Sequence, residues 1–328
     1  MTGSDIRTRL STPEGVLLGH ALVSRVADRL GIRAFFIKGP ASAVQGLRLP
    51  KTSRDVDVFV APHNLEKMLQ GLRERGWRER PVDPENRAFP KHSVTLHHPE
   101  WPCCIDVHFR FPGMETPAAE CFDVMFANTE TLDLAGQKVR VPSKALGILI
   151  LALHALRSAQ LPACRQELEF LAQVTRCQSH APAVLESATA TGSLAAGRPF
   201  LEALLPKDAA VEWPQPSREW HNRLVAKEPG SAHLIAIVQA PWQDKPRMLW
   251  HGAFPPQEAF LSANIYADMS LRGRFLQHRA RWARFLRSAP RSSRLLCGIA
   301  RTERPKASQG VRQPRFTCGK LLSPARDL

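Results

Sequence analysis

The sequence predicts an α+β protein, in which a small mixed β-sheet with flanking helices is followed by a mostly helical region and a basic tail. Three observations predict this class. Strand and helix patterns alternate over residues 1–142, and from Ser143 the apolar spacing becomes helical. Residues 271–328 then hold fifteen arginines and lysines against two acidic residues, whereas residues 1–270 hold 30 basic and 28 acidic ones. The predicted boundaries of the three parts are therefore 1–142, 143–270 and 271–328.

The elements of the first part follow from apolar spacing and from the residues that interrupt it. Gly31 ends the first amphipathic pattern, Pro40 suits the first turn of a short helix, and Asn64 can cap the next helix. In chain order we predict helix Pro13–Leu30, strand Ala34–Ile37, helix Pro40–Gln45, strand Arg54–Val60, a helix from Leu65 that Gly76 ends, strands Ser93–His97 and Cys103–Phe109, and a last strand at Val139–Val141.

The second part begins at Ser143, which is a good N-cap residue. The segment Leu146–Leu156 is apolar almost all round, which predicts a buried helix. A loop is expected at Pro206–Pro216. The further predicted helices are Gln166–Val174, Ala181–Ala190, Glu219–Val225, Ser231–Gln239 and Glu258–Met269.

The bulk composition is that of a globular protein of the cytosol. The longest apolar run, Ala145–Leu156, is too short to span a bilayer. Residues 1–18 carry four charged side chains, so they lack the apolar core of a signal peptide. The seven cysteines have no framework spacing, and the adjacent Cys103 and Cys104 lack the spacing of a zinc site. We therefore expect a cytoplasmic protein with reduced thiols and no transmembrane segment.

Three carboxylates lie inside otherwise apolar strands. Asp55 and Asp57 project from the same face of one strand, because strand side chains alternate between faces. Asp106 is central in a second strand about fifty residues later. Like charges in an apolar setting need a compensating cation or substrate, and Mg²⁺ characteristically binds one or two carboxylates plus substrate phosphates. The three residues therefore predict metal-assisted phosphoryl or nucleotidyl transfer.

Four motifs follow one another in the chain. They are Lys38-Gly39 after a short strand, Asp55-x-Asp57 in an apolar strand, Ile-Asp-Val-His around Asp106, and a buried helix that contains His154. This ordered set resembles the uncharacterised nucleotidyltransferase family of the DNA polymerase β-like superfamily. The resemblance covers roughly residues 13–270. It implies a metal-dependent enzyme that transfers a nucleoside monophosphate from an NTP to an acceptor and releases pyrophosphate.

The resemblance implies a role for each carboxylate. Asp55 and Asp57 look like paired ligands of Mg²⁺ or Mn²⁺. Asp106 looks like the third catalytic carboxylate, either a metal ligand or the general base for the incoming hydroxyl. His108 shares a strand face with Asp106, so it either contacts the nucleotide, orients a carboxylate, or is a hydrogen-bonded structural histidine.

The resemblance also implies where the phosphates of the NTP bind. Lys38 and Gly39 match a turn that leads into a helix N-terminus, where backbone N–H groups point at an anion. The next residue is Pro40, whereas the superfamily commonly has serine or glycine there, so Ser42 is a possible substitute donor. Arg54, or the lysine three residues before it, supplies the basic residue that this family usually has before Asp-x-Asp.

The basic tail leaves three interpretations open. Leu271, Phe275, Trp282 and Leu286 lie close to one helical face, and arginines fill much of the rest. Such a helix packs on its own domain, binds nucleic acid, or lies on an anionic membrane surface. From residue 289 onward the periodicity disappears, which predicts a disordered segment.

Two functions are consistent with these patterns. The first is a nucleotidyltransferase whose acceptor is a protein, an RNA, a sugar or a small metabolite. The alternative is a non-catalytic protein of the same fold that binds nucleic acid, or an anionic surface, through its basic tail.

Overall fold

The computed structural model describes residues 10–49, 51–82, 89–206, 209–228, 230–264 and 267–302, with side chains as far as residue 287. Over residues 12–142 its elements are helix α1 (Thr12–Leu30), strand β1 (Ala34–Phe36), helix α2 (Gly39–Val44), strand β2 (Asp55–Val60), helix α3 (Leu65–Arg73), strands β3 (Arg78–Glu79), β4 (Ser93–His97) and β5 (Cys104–His108), helix α4 (Ala118–Ala127), and strands β6 (Thr129–Leu134) and β7 (Gln137–Pro142).

Five of the strands form one mixed sheet in the order β1-β2-β5-β4-β3. Strands β2 and β5 are parallel, and the other neighbouring pairs are antiparallel. The predicted small mixed sheet with flanking helices is therefore confirmed. The parallel register places Asp57 opposite Asp106 and Phe59 opposite His108, so the two strands bring polar residues from distant parts of the chain side by side.

One face of this sheet packs against α1 and α3. Val56, Val58 and Val60 of β2 point to this side and are fully buried with the apolar residues of both helices. A capping box between Ser11 and Glu14 begins α1, and Gly31, with φ of 60°, ends it. These signals fix the ends of α1, and the buried valines orient it on the sheet.

The other face of the sheet meets the helical part of the chain. Phe35 and Phe59 belong to a second apolar cluster that also contains Phe122 of α4 and most of helix α5 (Lys144–Leu156). Helix α5 is buried along nearly its whole length, as its apolar sequence predicts. The remaining helices of this part are α6 (Pro162–Cys177), α7 (Ala181–Ala190), α8 (Leu194–Glu202), α9 (Arg218–Val225), α10 (Ser231–Gln239), α11 (Lys245–Ala253) and α12 (Gln257–Ala263).

Several elements differ from the sequence expectation. The strand predicted at Val139–Val141 does not join the main sheet but pairs with β6 in a separate two-stranded sheet. Helix α12 ends at Ala263 rather than at Met269. Five elements were not predicted: β3, α4, β6, α8 and α11. Helix α8 contains Pro199, although a proline in the sequence usually predicts the end of a helix rather than its interior.

A long helix, α13 (Leu271–Thr302), follows these elements. It contacts the preceding helices through Phe285 and Trp282, which line a cavity of about 460 Å³ together with residues of α10, α11 and α12. Several of its apolar side chains remain exposed, among them Leu271 and Phe275. The helical backbone extends past residue 289, so the prediction of disorder is wrong for 289–302. Residues 303–328, the rest of that prediction, lie outside the described residues.

Among the described residues, no helix combines the length and the apolar character that crossing a membrane requires.

Candidate functional site

The site is built on the two parallel strands at the centre of the sheet. Asp57 of β2 and Asp106 of β5 are direct neighbours in the register, and His108 lies two residues further along β5 on the same face. The potential ligand atoms of these three side chains all lie within 4.8 Å of one another. Asp57 and His108 are buried, whereas Asp106 is partly accessible.

Three side chains donate hydrogen bonds to the two carboxylates. Lys38 Nζ donates to Asp57 Oδ1 over 2.8 Å, and His108 Nε2 lies 2.8 Å from the same oxygen. His108 Nε2 also lies 3.2 Å from Asp106 Oδ2, and Thr95 Oγ1 donates to Asp106 Oδ1 over 2.8 Å. Each buried carboxylate is therefore compensated by a specific partner, as buried charges require.

The protonation states follow from these contacts. Burial alone would raise the pKa of Asp57, but Lys38 and His108 outweigh it and hold this pKa well below its usual range. The pKa of Asp106 is also lowered, because the hydrogen bonds from His108 and Thr95 outweigh its burial. Burial lowers the pKa of His108, but its hydrogen bonds to Asp106 and Asp57 prevail and raise it. Both carboxylates are thus ionised at neutral pH.

Asp55 lies at the exposed beginning of β2, on the same strand face as Asp57. Its carboxylate is not one of the three groups whose ligand atoms lie within 4.8 Å of one another. Ser53 Oγ is 3.3 Å from Asp55 Oδ1. Burial by its surroundings and repulsion from Asp57 raise the pKa of Asp55. The structure therefore brings Asp57, Asp106 and His108 together and leaves Asp55 at the edge of this group.

The predicted phosphate-binding turn lies directly beside Asp57. Lys38 and Gly39 both have positive φ, 61° and 52°, and helix α2 begins at Gly39. Ser42 is buried, and its backbone N–H donates to the carbonyl oxygen of Lys38 over 3.3 Å. That N–H is used within the helix, so the hydroxyl group is what Ser42 has left to offer a ligand. Arg54 is exposed just before β2.

The sequence did not single out Thr95, because its signal depends on which strands are neighbours. Thr95 lies opposite Asp106 in the antiparallel pairing of β4 with β5. A threonine in the centre of a strand whose neighbour carries a carboxylate is a signal for a cross-strand hydrogen bond. The sequence alone does not show which strands are neighbours, and this kept Thr95 hidden.

Two arginines of the helical part, Arg157 and Arg223, were also not predicted from the sequence. Arg157, directly after α5, donates a hydrogen bond to His154 Nδ1. The guanidinium of Arg223 on α9 stacks on Phe89 at 4.5 Å. The ring of His92, just before β4, lies 5.9 Å from the ring of His108. The spacing of His154 and Arg157 places both on one helix face, which is the signal that the sequence offers for this pair.

Burial and nearby positive charges lower the pKa of two histidines beside these arginines. Burial, followed by the charges of His108, Arg223 and Arg157, lowers the pKa of His92 to about 3. Burial, followed by the charges of Lys38 and Arg157, keeps the pKa of His154 well below its ordinary value. His154 is therefore neutral and accepts the hydrogen bond from Arg157.

In chemical terms, the site is a concentration of fixed charge at the centre of the sheet. Asp57 and Asp106 offer the oxygen ligands that hard divalent cations such as Mg²⁺ prefer. Positive groups from Lys38 and Arg157 near these carboxylates suit an anionic ligand. Such an arrangement is chemically suited to a metal-associated phosphate compound and to negative charge that develops during a reaction.

Comparisons with known proteins give one family and several partial structural likenesses. The solution structure of the antibiotic-resistance factor ANT(2'')-Ia matches with a TM-score of 0.38 and 12% identity, over 56% of this chain and 96% of that one. An antigenic nucleotidyltransferase-like protein from Paracoccidioides brasiliensis matches with a TM-score of 0.36 and 19% identity, over 60% and 94% of the two chains. The lincomycin-bound lincosamide antibiotic adenylyltransferase LnuA matches with a TM-score of 0.32 and 14% identity, over 47% and 94%.

No protein of curated function matches the sequence significantly. The model of one protein family matches residues 21–196, which is more than half of the 328 residues. The match extends from α1 through the sheet and its carboxylates into α8. On this ground, the chain belongs to the uncharacterised nucleotidyltransferase family.

Proposed function

We propose that this protein is a metal-dependent nucleotidyltransferase that transfers a nucleoside monophosphate from an NTP to an acceptor and releases pyrophosphate. The observation that carries the proposal is the pairing of Asp57 with Asp106 across two parallel strands, in a chain of the nucleotidyltransferase family. Two ionised carboxylates side by side in a largely buried site have no structural purpose that an apolar pair would not serve better.

Asp57 and Asp106 are the proposed metal ligands, with Asp55 at the edge of the same face. Their oxygen atoms fit Mg²⁺ or Mn²⁺. When bound, the cation would neutralise phosphate charge. His108 donates hydrogen bonds to both carboxylates, so its proposed role is to orient them rather than to contact the nucleotide.

The phosphates of the NTP are assigned to the turn after β1. Lys38 supplies a positive charge next to Asp57, and Gly39 allows the backbone to approach a ligand closely. Ser42 offers a hydroxyl group, and Arg54 an exposed guanidinium before β2. These four residues are the proposed nucleotide-binding residues of this chain.

The proposed reaction joins a hydroxyl acceptor and an NTP. The acceptor oxygen attacks the α-phosphorus and forms a new P–O bond, while the bond from the α-phosphorus to the bridging oxygen of the β-phosphate breaks. That oxygen takes the electron pair and leaves as pyrophosphate. Asp106, which is ionised and partly accessible, is proposed as a metal ligand or, alternatively, as the group that accepts the hydroxyl proton. We place this reaction in the cytosol, the compartment that the sequence predicts.

The test is transfer of label from α-labelled NTPs, with ATP first, into components of a cell extract in the presence of Mg²⁺ or Mn²⁺. Replacing Asp57 with asparagine should lower the labelling rate at least about 100-fold, because fixed charge supplies most of the catalysis in such sites. Asp133→Asn is the matched control, since Asp133 is exposed on β6, outside the main sheet. Nuclease and protease treatment of the labelled product would identify the acceptor class.

Equal labelling by wild type and Asp57→Asn would contradict the proposal. The absence of label with every NTP, from protein shown to be folded, would instead support the non-catalytic alternative. That alternative predicts salt-dependent binding of nucleic acid, or of an anionic surface, that depends on the basic tail and not on Asp57.

A further inference from the structure

A cluster of positive charge lies close to the carboxylates, at the ends of two helices. We call Arg157, Arg223 and Lys227 the cationic cluster. Lys227 Nζ donates to the carbonyl oxygen of Arg157 over 2.7 Å. Arg223 donates to the carbonyl oxygen of Pro90 over 3.4 Å, two residues before His92. The cluster therefore joins the end of α5 and the end of α9 to the segment that enters β4.

The cluster has too few negative partners within the described chain. Arg223 shares one carboxylate, Glu219, with Arg110, at 2.9 Å and 2.7 Å. Arg157 is only partly exposed, and its partners are the neutral ring of His154 and the face of Phe111 at 5.9 Å. No carboxylate of the described residues forms an ion pair with Arg157. A partly buried guanidinium group without a paired anion lowers the stability of the fold unless a bound ligand supplies the negative charge.

The neighbouring catalytic carboxylates do not fill this role. Asp57 and Asp106 attract Arg157 and moderate the fall of its pKa, which burial and Arg223 lower to about 10. Both carboxylates, however, already accept hydrogen bonds from Lys38, His108 or Thr95. The charge of the cationic cluster is thus left for an external anion.

The strand order and the contact of Arg223 with Pro90 place one end of the cluster relative to the proposed reaction. Across the sheet, β1 leads to Lys38, β2 carries Asp57, β5 carries Asp106, and His92 directly precedes β4. The NTP phosphates are assigned to the Lys38 side. Arg223 of the cluster lies on the β4 side, bonded to Pro90 and close to His92, whose ring is 5.9 Å from that of His108. Arg157 is within electrostatic reach of Arg223 and of both carboxylates. The Arg223 end of the cluster is therefore on the side of the sheet away from Lys38, which is the side left for the acceptor once the NTP is assigned to Lys38.

We propose that Arg157 and Arg223, with Lys227 at the rim, bind a phosphate or carboxylate group of the acceptor, so that the acceptor is an anionic molecule. A guanidinium matches both groups by forked hydrogen bonds. The identification of this anion as part of the acceptor rests on the proposed function, whereas the existence of the anion site does not.

The test measures binding of inorganic phosphate by calorimetry, at constant ionic strength, with and without a saturating non-hydrolysable ATP analogue and Mg²⁺. Wild type should bind phosphate in both conditions. Arg157→Gln/Arg223→Gln should lose at least about tenfold in phosphate affinity, because two charge-assisted contacts are removed. Its affinity for the ATP analogue should stay within about twofold of wild type. Arg29→Gln, which removes an exposed positive charge near the end of α1, is the control.

Any of the following outcomes would contradict the proposal. If the ATP analogue displaces phosphate and the double variant loses affinity for the analogue, the cluster binds the NTP. If wild type binds no phosphate, or if the double variant binds it like wild type, the cluster is structural. Thermal unfolding verifies that the variants fold, and Arg223→Gln alone serves the same test if the double variant does not. Asp57→Asn should still bind phosphate, so failure of the catalytic proposal and failure of the anion site remain distinguishable.

Discussion

Lys38 and Asp57 form the most consequential contact at the scale of single residues. Both side chains are nearly buried, at 9% and 6% exposure, and their charged atoms lie 2.8 Å apart. Lys38 adopts a positive φ of 61°, which is unfavourable for a residue other than glycine. The backbone therefore holds this lysine over a carboxylate that is also the proposed metal ligand, so a cation at Asp57 must compete with Lys38.

This competition gives a prediction for Lys38→Met. The change removes the positive charge beside Asp57 and should raise the affinity for Mn²⁺ about tenfold, because charges this close interact by more than about 1 kcal/mol even when partly screened. The same change should slow nucleotidyl transfer, because Lys38 is assigned to the NTP phosphates. Free Mn²⁺ measured by electron paramagnetic resonance reports the affinity without requiring activity. Lys67→Met, at an exposed lysine of α3, is the control. Weaker Mn²⁺ binding by Lys38→Met would show that the lysine supports the metal site instead of opposing it.

The site could be predicted from the sequence where a residue lies inside a regular strand. Asp57 and Asp106 were recognisable because each interrupts an apolar run, and strand alternation placed His108 on the same face as Asp106. The partners of these residues were not recognisable. Thr95 reaches the site through the pairing of β4 with β5. Arg157, and Arg223 on α9, reach it through the packing of the helical part. Local sequence spacing encodes neither the strand pairing nor this packing.

At the scale of elements, the packing of α1 on β2 depends on small residues. Gly15 and Gly19 lie one helical turn apart on the buried face of α1. A Cβ at Gly19 would lie 2.8 Å from Val56 Cγ2, and one at Gly15 would lie 2.6 Å from Pro102 Cγ. The helix therefore approaches the strand that carries Asp55 and Asp57 closely because these positions lack a side chain.

Gly19→Ala should destabilise the protein even though alanine favours helix formation. The helical preference gains roughly 1 kcal/mol, whereas overpacking against a stiff valine costs about 1–3 kcal/mol. We expect the free energy of unfolding in urea to fall by about 1 kcal/mol. In Gly19→Ala/Val56→Ala the obstructing methyl groups are absent, so the double variant should be more stable than the sum of the two single changes implies. Additive effects would show that α1 and β2 do not meet here as tightly as the structure indicates.

The strands of the main sheet were easier to predict than the elements around them. Apolar runs identified β1, β2, β4 and β5, because these strands are buried and bounded by glycine or proline. Strand β6 was missed because it alternates weakly and exposes several of its residues. Its existence depends on pairing with β7 across a turn with positive φ at Ala135 and Gly136. In α8 and α11 prolines lie within or at the start of helices, where local rules favour a break.

At the scale of the whole molecule, the excess of basic residues and the proposed catalytic carboxylates lie in different parts of the chain. Residues 1–270, which hold the carboxylates, are close to electroneutral, whereas residues 271–328 carry fifteen basic residues and two acidic ones. Helix α13 contacts the beginning of α10 through Phe285 and α12 through His278, and several of its arginines are exposed. Packing on its own domain and binding of a polyanion are therefore compatible uses of two faces of one helix.

The outward arginines should govern any binding of RNA, and this can be separated from catalysis. Replacing four exposed arginines of α13 with glutamine keeps the packed Phe285 and removes four positive charges; they are Arg272, Arg279, Arg284 and Arg287. Each lost phosphate contact lowers the slope of log affinity against log salt by about 0.7 for single strands, so the slope should fall by up to about 3. Fluorescence anisotropy with a labelled single-stranded RNA, over a series of salt concentrations, measures this slope.

The control replaces exposed basic residues elsewhere, namely Arg29, Lys67, Arg78 and Arg165. If both variants lose the same affinity, net charge rather than α13 attracts the RNA; if wild type shows no salt-dependent binding, the nucleic-acid interpretation of the helix is wrong.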